Sequence, residues 1–343
     1  MRRRLTGPRW VAVASTTRRH RCQRATSTTL CGSPQHPSAL PTLAAETYTA
    51  HSTDGPAIES NEVYPTPCAT VPSISIAAAS SKRYSLGFMK PTSIARPLLE
   101  HWGFSVQDIP PANRERKKEA DFLATRAGVR VLVEEKIKAE DPARAAKRDA
   151  KHQGGELHAE TLAIVRDETV SGVIRDAAAQ LLSSSRHPHD FRLLWFTATG
   201  PTAEDKYEQF MATLYGRTNI LEMNSPHFRR CYFFRNGDFY RRRNAIDGAI
   251  AAYINGRSIS AKLCLNSLSQ RYGLLKASTL MVLFGTAVED PIQLESEGKA
   301  FIVNSDLDRK DEAGLLSYLR HKYGTGPLMK IDLGYTRASV RVE

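Results

Sequence analysis

Residues 121–136 read DFLATRAGVRVLVEEK, and their pairing decides the fold. Two β-prone runs, 119–126 and 129–138, flank the dipeptide Ala127-Gly128. Val129, Val131, Val133 and Ile137 alternate with other residues, which is strand periodicity, and a two-residue link predicts a β-hairpin. If Arg126 faces Val129, every later pair is fixed: Leu123 lies opposite Leu132, Asp121 opposite Glu134, and Glu119 opposite Lys136. Side chains alternate between the faces of a sheet, so Asp121, Glu134 and Lys136 share one face. The apolar alternation through Val129, Val131 and Val133 predicts a central rather than an edge strand.

Two carboxylates facing each other across a ladder stand about 5 Å apart at Cβ and repel. A hard divalent cation relieves that repulsion, and carboxylate oxygens select Mg²⁺ or Mn²⁺. Lys136, two residues along on the same face, adds an ammonium that can orient a water or stabilise phosphoryl charge.

Outward from the hairpin, Ser93 is placed to cap a helix carrying Ile94, Leu98, Leu99 and Trp102 on one side, ended by Gly103. Residues 104–109 read as a strand, Pro110-Pro111 breaks it, and 139–155 reads as a polar loop. Apolar residues at helical spacing predict a helix over 170–184, and Phe191–Ala198 reads as a strand covered on both faces. Helices are expected at 202–215, 246–254 and 309–322. A second hairpin is expected over 231–240 around Asn236-Gly237. Strands are expected at Thr279–Phe284, Ala300–Val303 and 328–333. The fold class is therefore α/β, with a central mixed β-sheet flanked by helices. Residues 89–255 form the core, and 256–343 an α/β extension of it or a small separate module.

A helix, a strand, a hairpin bearing Asp121 and then Glu134-Glu135-Lys136, a helix and a buried strand together resemble the PD-(D/E)XK nuclease superfamily. The resemblance covers 92–198 and implies a restriction-endonuclease-like core and a Mg²⁺- or Mn²⁺-dependent nuclease acting on DNA, favoured over RNA. It implies that Asp121 and Glu134 hold the metal with the backbone carbonyl of Glu135, and that Lys136 positions the attacking water. Gln180 matches a position where several branches keep a Gln, and Glu100 matches an acid that some members add to the metal site. The Pro that often precedes the Asp is absent; Ala120 stands there. Many nucleases of this type dimerise, so a homodimer is an open expectation. The alternative is a catalytically inactive protein of the same fold that binds nucleic acid or a protein partner.

Arg114, Arg116, Lys117 and Lys118 precede the hairpin, and Arg144, Lys147, Arg148 and Lys151 follow it. Their positive field could guide a nucleic-acid backbone. Basic and aromatic residues also interleave from Arg229 to Arg235 and from Phe239 through Arg241, Arg242 and Arg243, where the arginines are candidate phosphate contacts and the aromatics read first as core. His187-Pro188-His189-Asp190 reads as a turn rather than a zinc site, and Asp306, Asp308 and Asp311 as the lead-in to a helix cap.

The chain has 343 residues and a net charge of +12. Residues 1–88 hold ten basic and four acidic side chains, eight of the 18 prolines and three of the five cysteines. With few bulky apolar residues and no sustained periodicity, that segment reads as disordered. It is either a stretch ahead of a natural start at Met89 in a cytoplasmic protein, the favoured reading, or an organelle transit segment. Cys22, Cys31, His20 and His36 fit no familiar metal spacing. No apolar run is long enough to span a bilayer. No G-x-S-x-G, Walker loop or G-x-G-x-x-G motif supports a serine hydrolase, NTPase or dinucleotide enzyme.

Overall fold

A two-residue link between antiparallel strands requires left-handed backbone at both positions, and the chain supplies it: φ is 48° at Ala127 and 79° at Gly128. Glycine adopts this freely, whereas Ala127 costs about 1–2 kcal/mol there. The computed structural model describes residues 93–110, 118–223, 228–256, 258–308, 310–331 and 334–339. The expectations for 1–88 lie outside these residues.

The elements in chain order are α1 (Ala95–His101), β1 (Ser105–Asp108), β2 (Phe122–Arg126), β3 (Val129–Lys138), α2 (Pro142–Gln153), β4 (His158–Ala163), α3 (Glu168–Ser183), β5 (Phe191–Ala198) and α4 (Ala203–Tyr215). There follow β6 (Arg217–Glu222), β7 (Phe228–Phe233), a 3₁₀ turn (Phe234–Asn236), α5 (Asp238–Arg241), β8 (Gly248–Asn255), β9 (Ser258–Leu265), α6 (Tyr272–Lys276) and α7 (Thr279–Phe284). The chain then forms β10 (Val288–Glu289), α8 (Pro291–Ser296), β11 (Ala300–Val303), α9 (Glu312–Tyr323), β12 (Leu328–Ile331) and β13 (Gly334–Ser339).

Seven strands form a mixed sheet in the order β1-β2-β3-β5-β8-β9-β10. Strands β3, β5 and β8 run parallel, while β1-β2, β2-β3 and β8-β9 are antiparallel. Strand β3 thus has a neighbour on each side, as the alternation of valines required. The sheet continues through β9 and β10, so it crosses the 255/256 position without a break. A second sheet, β11-β7-β6-β12, packs with α9, and β4 pairs with β13.

Alternation along β3 divides the core into two layers. Leu132 joins Ile174 and Leu181 of α3 and Phe210 and Leu214 of α4. Val131 and Val133 join Leu99 of α1 and Phe284 of α7 on the opposite face. Strand β5 repeats the division: Phe196 stacks on Phe210 with ring centroids 4.0 Å apart, while Trp195 lies 5.6 Å from Trp102. Each fully buried side chain of this size contributes about 1.5–3 kcal/mol.

Four local expectations are corrected. Residues 248–254 of the expected helix 246–254 belong to strand β8: a short Ala-rich apolar run has no exposed side to set its period, and here it pairs between β5 and β9 with both faces buried. Thr279–Phe284 is helix α7, not a strand; Leu280 and Phe284, one turn apart, are buried while Val282 is exposed. Asn236-Gly237 makes no hairpin, because β7 leads into a 3₁₀ turn and α5. Gly237 serves close approach instead: a Cβ there would stand 2.8 Å from the Leu214 carbonyl oxygen. Part of the expected polar loop at 139–155 is helix α2, capped by Asp141, with no buried residue to reveal it by hydrophobic periodicity. Asp311 caps α9 as expected, accepting from the Gly314 amide at 2.9 Å.

A buried charge cluster ties the two larger sheets together. Glu289 on β10 accepts from Arg230 of β7 at 3.0 Å, Lys262 of β9 at 3.0 Å, and Tyr232 of β7. Burial pushes the Glu289 carboxyl up, but Arg230, Lys262 and Arg217 outweigh it and hold the pKa at about 2. Because the folded value lies below the unfolded one, this stabilisation is full above about pH 4.5 and is lost as pH falls toward 2. We expect Glu289→Gln to lose about 3–5 kcal/mol of stability at pH 7, since it leaves buried cations unmatched. In urea titrations the gap from wild type should narrow below pH 4; a constant gap would contradict the assignment.

Candidate active site

The hairpin register places the carboxylates. Strands β2 and β3 pair Arg126 with Val129, Leu123 with Leu132 and Phe122 with Val133. Asp121 immediately precedes β2, and its Oδ2 accepts the backbone amide hydrogen of Glu135 at 2.7 Å. This bond fixes Asp121 beside Glu134. The strand begins at Phe122 rather than at 119, so Glu119 does not face Lys136. Glu119 instead accepts from Ser184 Oγ at 2.7 Å and from Arg186 at 2.7 Å, beyond the end of α3.

Glu134 is 1% exposed. Its Oε1 pairs with Lys136 Nζ, and its Oε2 is buried with no hydrogen-bond partner among the described residues. Burial, with the neighbouring Asp121 charge adding, pushes the Glu134 pKa up to about 8. Lys136 Nζ also donates to Gln180 Oε1 at 2.9 Å. Gln180 Nε2 in turn donates to the Glu119 carbonyl at 3.3 Å, tying α3 to the segment ahead of β2. Asp121, Glu134, Lys136 and Gln180 therefore form one connected cluster. Lys136 and Gln180 open onto a cleft of about 690 Å³ that Lys118 and Asp176 also line.

The other expected residues are placed differently. The Glu135 side chain points to the opposite face, where it accepts from the amides of Ile94 and Ala95 at 2.8 and 2.7 Å and from Ser93 Oγ at 2.6 Å. It is the N-terminal anion of α1. Nothing local marks this role, because the partners lie about 40 residues earlier. Glu100 pairs with Arg96 on α1 at 3.2 Å, and α1 packs on the Val131/Val133 face, so the structure does not bring Glu100 into the cluster. Arg241 ends α5, with Arg242 and Arg243 following. Asp238 of α5 lies 3.7 Å from Arg166, next to the N-terminus of α3, far along that helix from Gln180. Arg243 folds over its own neighbour Tyr240, 4.7 Å from the ring centre. Lys118 lines the cleft; Arg114, Arg116 and Lys117 lie outside the described residues.

Among the described residues no group of three or more His, Cys, Asp and Glu side chains is gathered as a metal site. The acids of the cluster fit a cation differently. Asp121 and Glu134 with its unpartnered Oε2 are two carboxylates, and Mg²⁺ characteristically takes one or two carboxylates and completes its shell with water and phosphate oxygens. Among the described residues no helix is long and apolar enough to cross a membrane. Comparison of the chain with known protein families, with curated proteins and with solved structures finds no match.

In metal-free protein the raised Glu134 pKa makes the fold hold a proton that the unfolded chain releases above about pH 4.5. Stability from this group is full below pH 4.5 and is lost as pH rises through 8. In chelator, Glu134→Gln should exceed wild type in urea stability by roughly 2–4 kcal/mol at pH 8, and by about 1 kcal/mol or less at pH 5. A pH-independent difference would show that Glu134 is ionised throughout.

Proposed function

We propose that the chain is a divalent-cation-dependent nuclease with a core like that of the PD-(D/E)XK enzymes, hydrolysing phosphodiester bonds of DNA in preference to RNA. One observation carries the reading. The Asp121 and Glu134 carboxylates are held together beside Lys136, and the buried Glu134 Oε2 lacks a partner among the described residues. The element order supports it: α1, β1, the β2–β3 hairpin, then α3 and the parallel strand β5.

Asp121, Glu134 and the Glu135 carbonyl are the groups that would hold Mg²⁺ or Mn²⁺, which would acidify a bound water and neutralise phosphoryl charge. The rest falls to the chain. Lys136 has three ammonium hydrogens; Glu134 and Gln180 take two, leaving one for the attacking water or a non-bridging phosphoryl oxygen. Gln180 restricts where that ammonium points, since its own amide is tethered to the Glu119 carbonyl. In-line attack then proceeds with the positive charge already aimed at the oxygens that gain negative charge. Lys118, at the cleft wall, adds a phosphate contact away from the reacting centre.

The second reading, a binding protein without turnover, draws on the Lys136–Glu134 pair, which neutralises one acid without a cation. A cleavage assay with labelled DNA and RNA separates the two. With Mg²⁺ or Mn²⁺, wild type should cut, and Lys136→Ala and Asp121→Asn should each slow cleavage by about 10²–10³-fold in protein that still melts cooperatively above the assay temperature. Gln180→Ala should cost about tenfold, a positioning effect. Tight nucleic-acid binding with no cleavage under either metal would establish the binding protein.

A further inference from the structure

A second cavity, of about 570 Å³, lies at the carboxyl-terminal end of β3. Lys138, Glu140, Arg144, Glu160, Asp167 and Lys206 supply its charged lining, along with Asp141. The acids are already matched. Glu140 pairs with Arg148, and Glu160 with Arg144 at 2.9 Å. Asp141 accepts from the Ala143 amide and Asp167 from the Val170 amide, each capping a helix. The two lysines are not matched. Among the described residues, neither Lys138 nor Lys206 has a carboxylate partner; Lys206 Nζ donates only to the Thr199 carbonyl, at 3.3 Å. Lys206 is half-buried, and burial pushes its pKa down; Glu140 opposes this, Lys138 and Arg144 add to it, and Glu160 opposes it again. Among the described residues, two ammonium groups thus line one cavity with no carboxylate in hydrogen-bonding contact.

The position of this cavity says which anion. Lys138 follows Lys136 by two residues on the same face of β3, about 6.6 Å along the strand. That is the order of the separation between adjacent phosphates on an extended nucleic-acid strand. Val173 of α3 lines the first cleft and Val170, one turn earlier, lines the second cavity, so the two openings are neighbours along one helix. Beyond the cavity, α2 presents Lys147 and Lys151 one turn apart. A helix that buries no residue yet aligns these two cations extends the positive track outward.

We propose that this cavity is a second phosphate subsite, in which Lys138 and Lys206 hold the backbone phosphate next to the one presented to Lys136. The subsite rests on the reading of the cluster as directed to nucleic acid, and it sets how the strand threads: along α3 from Lys118, past Lys136, to Lys138 and Lys206. Two point-charge ammoniums suit the paired non-bridging oxygens of a phosphodiester and carry no base preference.

The test is binding of a labelled single-stranded DNA oligonucleotide to the full chain, in chelator and over a range of salt concentrations. Each lost phosphate contact reduces the log–log salt slope by about 0.7 on a single strand. The double variant Lys138→Gln/Lys206→Gln, which loses that one phosphate contact, should bind at least about fivefold more weakly, with a slope smaller by about 0.7. Because Lys206 is half-buried, Lys138→Gln alone provides a second reading, with weaker binding and a smaller slope change in the same direction. Melting temperatures establish that both variants fold. Wild-type affinity and slope in both variants would overturn the subsite, even if wild type cleaves DNA; so would a wild type that binds no DNA. Weakened binding in the variants of a protein that never cleaves with Mg²⁺ or Mn²⁺ would uphold the subsite while removing the hydrolytic reading.

Discussion

The left-handed turn at Ala127-Gly128 governs the arrangement of charge. A two-residue link leaves one register available to β2 and β3, and a slip by one position would send each side chain to the other face. With that register set, Asp121 comes beside Glu134, and its carboxylate accepts the Glu135 amide where the regular strand ends. The parallel pairing of β3 with β5 then brings α3, and with it Gln180, over the same face.

Alternation along β3 gives adjacent glutamates opposite work. Glu135 faces α1 and satisfies the two backbone amides and the Ser93 hydroxyl at that helix's start. Glu134 faces α3 and keeps one oxygen without a partner in a desolvated position. A folded chain tolerates such an atom at a cost of roughly 1–3 kcal/mol. The buried Glu289 illustrates the contrast: surrounded by Arg230, Lys262 and Tyr232, it is fully satisfied and its pKa falls, whereas that of Glu134 rises.

The same logic distinguishes charges that hold the fold from charges left for a ligand. Arg148, Arg186, Arg192 and Arg217 each have a carboxylate of their own. Among the described residues Lys138 and Lys206 do not, and they line the same cavity. Arg241, Arg242 and Arg243, conspicuous as a run in the sequence, follow α5 near the start of α3 rather than beside the cluster.

By itself the sequence determined the hairpin and its register, because period-two alternation and a two-residue link are local signals. It also determined α3, α4 and β5, whose apolar patterns are long enough to show their period. The Asp121, Glu134 and Lys136 grouping followed from the hairpin register, whereas Gln180 was expected only from the resemblance. Only the tertiary structure decided β8 and α7, since a short apolar run takes its conformation from what covers it: two neighbouring strands for β8, one core face for α7. It alone assigned Glu135 to the cap of α1, removed Glu100 from the cluster, and set Lys206 opposite Lys138. Each of those depends on contacts between residues tens of positions apart, and no local pattern of side chains encodes a distance that the chain closes only when its sheet has formed.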